Sequence, residues 1–325
     1  MPMKPIDPTR AAPAPASAPA PTPASVPASA SVPASASVPA SSSAAPTTAF
    51  GRASLAYKDV KFIDSDEARP LRILAEYLQP LHAFERENIR DTVVFFGSAR
   101  IGASGPLGRY YQAARETARL VTEWSLALPC DARRYVVCTG GGPGIMEAAN
   151  RGAYDAGGRT IGLNIGLPHE QVPNPYITRE LSFEFHYFFM RKLWFASLAR
   201  ALMVFPGGFG TLDELCEILT LAQTGKLARR IPVVLYGSDY WNEVINFPAL
   251  VRHGTISAAD VELFEFADDP ATAFAKMQKG ILDAEREEEV DKPPRVQVQE
   301  TVDALEGTHR DGGAPDFAHS HTPEE

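Results

Sequence analysis

Along the middle of the chain, short apolar runs alternate with longer stretches whose apolar residues recur every three or four positions. The first pattern reads as buried strands and the second as amphipathic helices. Thr92 to Phe96 is an unbroken strand-like run, and Gly97-Ser98 follows at once. From about Leu107 to Leu126, Tyr111, Ala114, Ala118 and Val121 share one helical face. Tyr135 to Cys138 predicts a second strand, Ile145 to Asp155 a helix closed by Gly157-Gly158, and Thr160 to Leu163 a third strand. A long loop, Pro168 to Pro175, leads past Leu181 into the aromatic run Phe183 to Phe189. A helix then passes through Met190, Arg191, Lys192, Trp194 and Ala199. Ala201 to Phe205 is again strand-like. It breaks at Pro206-Gly207-Gly208 and restarts as a helix with Leu212, Leu215, Ile218, Leu219 and Ala222 at helical spacing and Gly225 as its stop. Ile231 to Tyr236 and Tyr240 to Val251 predict a further strand and helix. Ahead of all these, residues 65 to 90 read as an amphipathic helical extension broken at Pro70 and Pro80.

This alternation predicts an α/β fold, a Rossmann-like, doubly wound parallel sheet with helices on both faces, plus the N-terminal helical extension. The crossovers should be right-handed, and the parallel strands put every C-terminal end on one edge of the sheet. Open α/β sheets bind ligands along that edge. Three strands run into glycine there, at Gly97, Gly140 and Gly207, so three loops can face one crevice.

Composition separates the ends from this domain. Residues 1–55 are almost all Ala, Pro, Ser, Thr and Val, and 285–325 are acidic and polar, so both read as disordered tails around a domain at 56–284. Proline interrupts every run of the first tail, unlike a secretory signal, and the tail is not Arg-rich as a transit peptide would be. The net charge of −9 argues against a nucleic-acid surface, and no window reaches the apolar length of a membrane span. Cys130, Cys138 and Cys216 lack metal-ligand spacing and read as reduced, buried packing residues of a cytoplasmic protein.

The chemistry concentrates at Pro206 to Glu214. A strand, a glycine-rich turn and a helix N-terminus make an anion site, because glycines let the backbone approach a phosphate and free N–H groups point at it. Thr211 adds a hydroxyl, and Glu214 reads as a carboxylate of the first helical turn. The plainer alternative is a strand-to-helix turn capped by Thr211, but capping needs neither three glycines nor a second carboxylate. Gly140-Gly141-Gly142-Pro143-Gly144 is a second loop of this kind. It lacks the third glycine of the dinucleotide fingerprint, which would fall at Ile145, and no Walker A lysine follows either loop. Two such loops without either signature suggest a mononucleotide; the alternative for 140–144 is a tight turn. Arg191-Lys192 end a run that is apolar or aromatic apart from His186, which suits an ion pair or a ligand, or else a single solvent-facing turn. Glu170, in the proline-flanked loop, is another carboxylate placed to reach the crevice. No metal site and no serine nucleophile elbow is expected.

Pro206 to Glu214, preceded by Met190-Arg191-Lys192, resembles the signature of the LOG ("lonely guy") family, cytokinin riboside 5′-monophosphate phosphoribohydrolases long mislabelled as lysine decarboxylases. The run from Gly140 to Asn150 is similar to that family's second motif, and Gly97-Ser98-Ala99 to its first loop, with alanine where serine is commoner. The resemblance covers about 90 to 280, and the helical extension resembles the longer bacterial branch. It implies hydrolysis of the N-glycosidic bond of a purine or cytokinin nucleoside 5′-monophosphate to free base and ribose 5-phosphate, without a cofactor. It implies Arg191 and Glu214 as the catalytic pair. Substrate contacts would come from Gly97, Ser98, Gly141, Gly142, Gly144, Glu170, Lys192, Gly207, Gly208, Phe209, Gly210, Thr211, Asp213 and Thr220. A homo-oligomer is implied as well. The alternative from another class is a nucleotide-binding sensor or carrier on the same scaffold, without turnover.

Overall fold

The computed structural model describes residues 54–166, 172–227 and 229–290. Most of both predicted tails, and Glu170, lie outside the described residues. The elements in order are α1 (Val60–Ile63), α2 (Arg69–Arg86), β1 (Thr92–Phe96), α3 (Gly108–Leu126), β2 (Val136–Thr139), α4 (Ile145–Asp155), β3 (Thr160–Ile165) and β4 (Ser182–Phe185). They continue with α5 (Phe188–Leu198), β5 (Ala199–Val204), α6 (Phe209–Gln223), β6 (Val233–Tyr236), α7 (Ser238–Val244), α8 (Phe247–Arg252), β7 (Phe264–Ala267) and α9 (Pro270–Val290).

The strands form one sheet in the order β4-β3-β2-β1-β5-β6-β7. Every pairing in it is parallel. Successive strand residues point to opposite faces, and both faces are covered. Val93, Phe95, Val137, Ala201 and Met203 pack with residues of α3, α4 and α9. Val94, Phe96, Cys138, Leu202 and Val204 pack with residues of α2, α5 and α6. Such two-sided burial explains why the central strands read as continuous apolar runs. From β1 the chain works outward through β2, β3 and β4, then returns to lay β5 against the other side of β1. The order therefore reverses between β1 and β5, and a doubly wound sheet opens its ligand crevice at such a reversal.

Five features differ from the sequence reading. Helix α2 is continuous through both prolines. Pro70 sits in its first turn, where no donor is needed. Pro80 lies inside the helix and cannot donate to the carbonyl of Glu76 four residues back; that carbonyl accepts the Trp194 indole N–H instead, at 3.2 Å. Within the aromatic run, Ser182 to Phe185 is a strand whose exposure alternates, with Phe183 and Phe185 buried. Strand β7 and helix α9 also went unread, and α9 reaches Val290, past residue 284. The segment Tyr240 to Val251 is split into α7 and α8, because Asn246 caps the new helix and Pro248 sits in its first turn. Of the three cysteines only Cys138 is buried, while Cys130 and Cys216 are exposed. Cys216 follows the core residue Leu215 by about 100° around α6, which turns it outward.

Candidate active site

A cavity of about 790 Å³ opens where β1 and β5 end. The loop after β1 contributes Gly97 to Ile101, and the β5–α6 connection contributes Pro206 to Leu212. Gly140, Met146, Arg191, Phe195, Glu214, Tyr240 and Val244 close the remaining wall. The loops are bonded to one another. Ser98 N–H donates to the Pro206 carbonyl at 3.0 Å, and Ser98 C=O accepts from Ile145 N–H at 3.1 Å. That closeness requires glycine. A Cβ on Gly144, whose φ is +71°, would lie 2.4 Å from the Ser98 carbonyl oxygen. One on Gly207 would lie 2.1 Å from Thr211 Oγ1. Gly208 and Gly210 differ, since a Cβ on either would meet nothing within 4 Å.

Helix α6 begins beside this opening with Gly208 as its N-cap, and no side chain caps it. Gly208 C=O accepts from the N–H groups of Thr211 and Leu212. Among the described residues, the N–H groups of Phe209 and Gly210 and the Thr211 hydroxyl donate to nothing, so Thr211 is not a capping residue. Phe209 projects from the helix tip, 91% exposed. Because α6 starts at Phe209, Glu214 lies in its second turn rather than its first.

From that second turn Glu214 faces Arg191, one turn into α5, with Oε1 and Nη2 3.5 Å apart. Glu214 is 5% exposed and accepts no hydrogen bond among the described residues. Burial pushes its carboxyl up to about 7, against the opposing pull of Lys192 and Arg191. Burial also lowers the Arg191 guanidinium from its usual value. The rings of Phe188 and Phe195 lie 5.3 and 5.7 Å from that guanidinium, and its Nε is buried without a partner among the described residues.

The structure thus brings Gly97, Ser98, Arg191, Gly207, Gly208, Phe209, Gly210, Thr211 and Glu214 onto one cavity. Other predicted residues stand behind it. Lys192 Nζ is held by Asp213 at 2.8 Å and Glu217 at 2.7 Å, which fastens α5 to α6. Thr220 is exposed and donates to the Cys216 carbonyl. The carbonyls of Gly141 and Gly142 accept from the buried Asn174 amide, and Gly144 packs on the β1 loop. Only Gly140 of that loop lines the cavity. Sequence reasoning missed Tyr240, whose hydroxyl donates to Gly207 C=O at 2.7 Å, along with Arg100, Met146 and Phe195. Arg100 comes three residues after Gly97, inside the first glycine loop, and was the most legible of these.

Residues 146–277 match a family model described as "Possible lysine decarboxylase". The chain is 30% identical over 196 residues to a probable cytokinin riboside 5′-monophosphate phosphoribohydrolase, LOG4, of Oryza sativa subsp. japonica, covering 59% of this chain and 78% of that one. Against cytokinin riboside 5′-monophosphate phosphoribohydrolase LOG3 of Arabidopsis thaliana it is 27% identical over 209 residues, covering 61% and 86% respectively. Among solved structures, the Moco carrier protein from Chlamydomonas reinhardtii aligns with a TM-score of 0.41 and 23% identity over 60% of this chain and 99% of that one. A likeness at that level adds nothing to the sheet already described.

Proposed function

The chain belongs to the LOG family of cytokinin riboside 5′-monophosphate phosphoribohydrolases, and on that premise we propose that it hydrolyses the N-glycosidic bond of a purine or cytokinin nucleoside 5′-monophosphate. The products are free base and ribose 5-phosphate. The observation that carries the reading is Glu214, a buried carboxylate without a hydrogen-bond partner among the described residues, on the same cavity as an uncapped helix N-terminus.

The uncapped N–H groups of Phe209 and Gly210, with the Thr211 hydroxyl, offer the 5′-phosphate a cradle of donors. Gly208 and Gly210, which no protein neighbour requires to be glycine, leave room for a phosphate against the backbone. Departure of the base builds oxocarbenium charge on the ribose. Glu214, ionised, stabilises that charge or takes a proton from the attacking water. Arg191 opposes the upward pull of burial on Glu214, favouring its ionised form, and adds positive charge to the cavity that would take the phosphate. Binding energy from the phosphate, remote from the bond that breaks, orients the sugar. Ile101, Leu107, Phe195 and Val244 provide an apolar wall for a flat base.

The decarboxylase description finds no chemistry here. A pyridoxal enzyme needs an uncharged lysine within reach of its substrate. No lysine lines the cavity among the described residues, and Lys192 is bound between two carboxylates that raise its pKa. Self-association is part of the proposal. Leu71, Leu74, Tyr77 and Leu78 on α2 and Phe188, Phe189 and Leu193 on α5 are exposed apolar side chains on two helices that pack together.

The deciding experiment is incubation with AMP, GMP, CMP and isopentenyladenosine monophosphate, with free base followed by chromatography. Base release from a purine or isopentenyl nucleotide is the expected result. Calorimetric binding of all four without any base release would instead make the protein a nucleotide sensor or carrier.

A further inference from the structure

Helix α5 carries Arg191 but lacks the means to fix its own start. Its N-cap is Tyr187, whose side chain caps nothing, and no acidic residue lies in its first turn. The missing acceptor comes from another part of the chain. Glu76, on α2, takes the His186 N–H on Oε1 at 2.8 Å and the Tyr187 N–H on Oε2 at 3.2 Å. Tyr187 in turn accepts, on its carbonyl, the backbone N–H of Arg191 at 3.3 Å. The backbone of Tyr187 thus links the two, with its N–H on the Glu76 carboxylate and its C=O, in the next peptide unit, on the Arg191 N–H.

Glu76 holds α5 at a second point. Its carbonyl, left without a helical donor by Pro80, accepts the Trp194 indole N–H at 3.2 Å. Tyr77, the next residue, stacks on the Trp194 ring with centroids 5.5 Å apart. Arg72, one turn earlier, donates to the Tyr187 hydroxyl at 3.3 Å. Residue 76 therefore grips α5 before Arg191, with its side chain, and after it, with its backbone.

We propose that Glu76 is a positioning residue for the hydrolysis, fixing the start of α5 so that Arg191 meets Glu214 across the cavity. It touches neither substrate nor reacting atoms. The inference rests on the reading of Arg191 and Glu214 as the working pair. The groups facing Glu214 are Arg191 and Lys192 from α5 and Asp213 and Glu217 from its own helix. Of these, Arg191 is the one whose backbone the Glu76 carboxylate reaches through Tyr187, so its displacement removes a cation from beside the Glu214 carboxyl. A carboxyl that loses a neighbouring cation titrates at higher pH.

The test compares Glu76→Ala, Glu76→Gln and, as a control on the exposed side of the same helix, Glu85→Ala. Readouts are base release from AMP across pH, thermal melting, and hydrogen–deuterium exchange of the segment from Tyr187 to Arg191. For Glu76→Ala, kcat falls about tenfold, a scale that sub-ångström to ångström misplacement of a catalytic group reaches, and KM for AMP rises less. The midpoint of the acid limb moves to higher pH, and exchange at 187–191 rises. Glu76→Gln keeps one carbonyl acceptor and falls between the wild type and Ala, which also covers the case where Ala fails to fold. Glu85→Ala matches the wild type. A Glu76 variant that melts earlier yet keeps kcat and the limb midpoint overturns the proposal, since it leaves Glu76 as a packing contact only. If the wild type releases no base, the enzymatic reading fails by itself. Exchange at 187–191 then still decides the link through Tyr187, and unchanged exchange in both Glu76 variants overturns it.

Discussion

Arg191 and Glu214 come from neighbouring helices and meet with Nη2 and Oε1 3.5 Å apart, close enough for ion pairing and too far for a strong hydrogen bond. Each group therefore keeps hydrogen-bonding capacity for a ligand in the cavity that both line.

Glu214→Gln keeps the size and one acceptor of the side chain and removes its charge. If the carboxylate acts on the transition state, kcat for base release falls by roughly 10²-fold or more, while AMP affinity by calorimetry changes far less. Near wild-type turnover in this variant would reduce Glu214 to a buried helix carboxylate.

Arg191→Ala has a different profile. Losing a cation that faces both the phosphate and Glu214 weakens AMP binding as well as kcat. The acid limb of the kcat/KM profile, centred near 7 in the wild type through Glu214, also moves to higher pH. An unchanged limb would separate Arg191 from the titration of Glu214.

The Glu214 carboxyl costs stability where it is ionised. Its folded pKa is raised from 4.5 to about 7, so its contribution is fully present below about 4.5 and is lost as pH rises through about 7. Glu214→Gln cannot titrate, and its stability relative to the wild type should grow between pH 5 and pH 8 by on the order of 2–3 kcal/mol. Thermal melts at the two pH values test this, and a gap that narrows at pH 8 gives the wrong sign.

Two glycines three residues apart separate structure from binding. In Gly207→Ala the new Cβ meets Thr211 Oγ1 and the Ser98 amide, so the melting temperature drops. In Gly210→Ala the Cβ meets nothing and the helix gains from alanine, by up to about 1 kcal/mol. That variant melts no earlier than the wild type but binds AMP at least several-fold more weakly. Undiminished AMP affinity in Gly210→Ala would move the phosphate away from the α6 N-terminus.

The exposed apolar residues of α2 and α5 predict association. Light scattering at micromolar concentration should give a mass above that of one chain, 35.2 kDa. Leu74→Glu should lower that mass, and a wild-type monomer under the same conditions would refute the assignment.

Much of the fold was legible because the central strands are buried on both faces and read as apolar runs such as Val93 to Phe96. Strand β4 was not, since Phe183 and Phe185 alternate with exposed residues inside a longer aromatic run that also suits a helix start. Pro80 misled for a tertiary reason, because the carbonyl it orphans finds its donor on Trp194, more than a hundred residues away. The glycine loops were readable since close backbone approach leaves a local mark, while Glu214 was read one turn too early because α6 starts at Phe209. The place of Lys192 behind the cavity was not readable, because it depends on Asp213 and Glu217, one turn apart on a different helix. Tyr240 comes from α7, just after β6 on the same sheet edge, and its bond to Gly207 leaves no mark in the sequence.

Ser98 occupies an unusual place among the three glycine loops, giving its amide to one and its carbonyl to another in a space that tolerates no added methyl group on Gly144 or Gly207. Three sequence motifs far apart along the chain are thus fastened to one another at a single residue. On the proposed reading, discrimination between nucleotides falls to the rim, to side chains such as Arg100, Leu107, Phe209 and Val244 that line the same cavity. If the proposed function holds, the choice of base can change by surface mutation while the backbone that would hold the phosphate is left untouched.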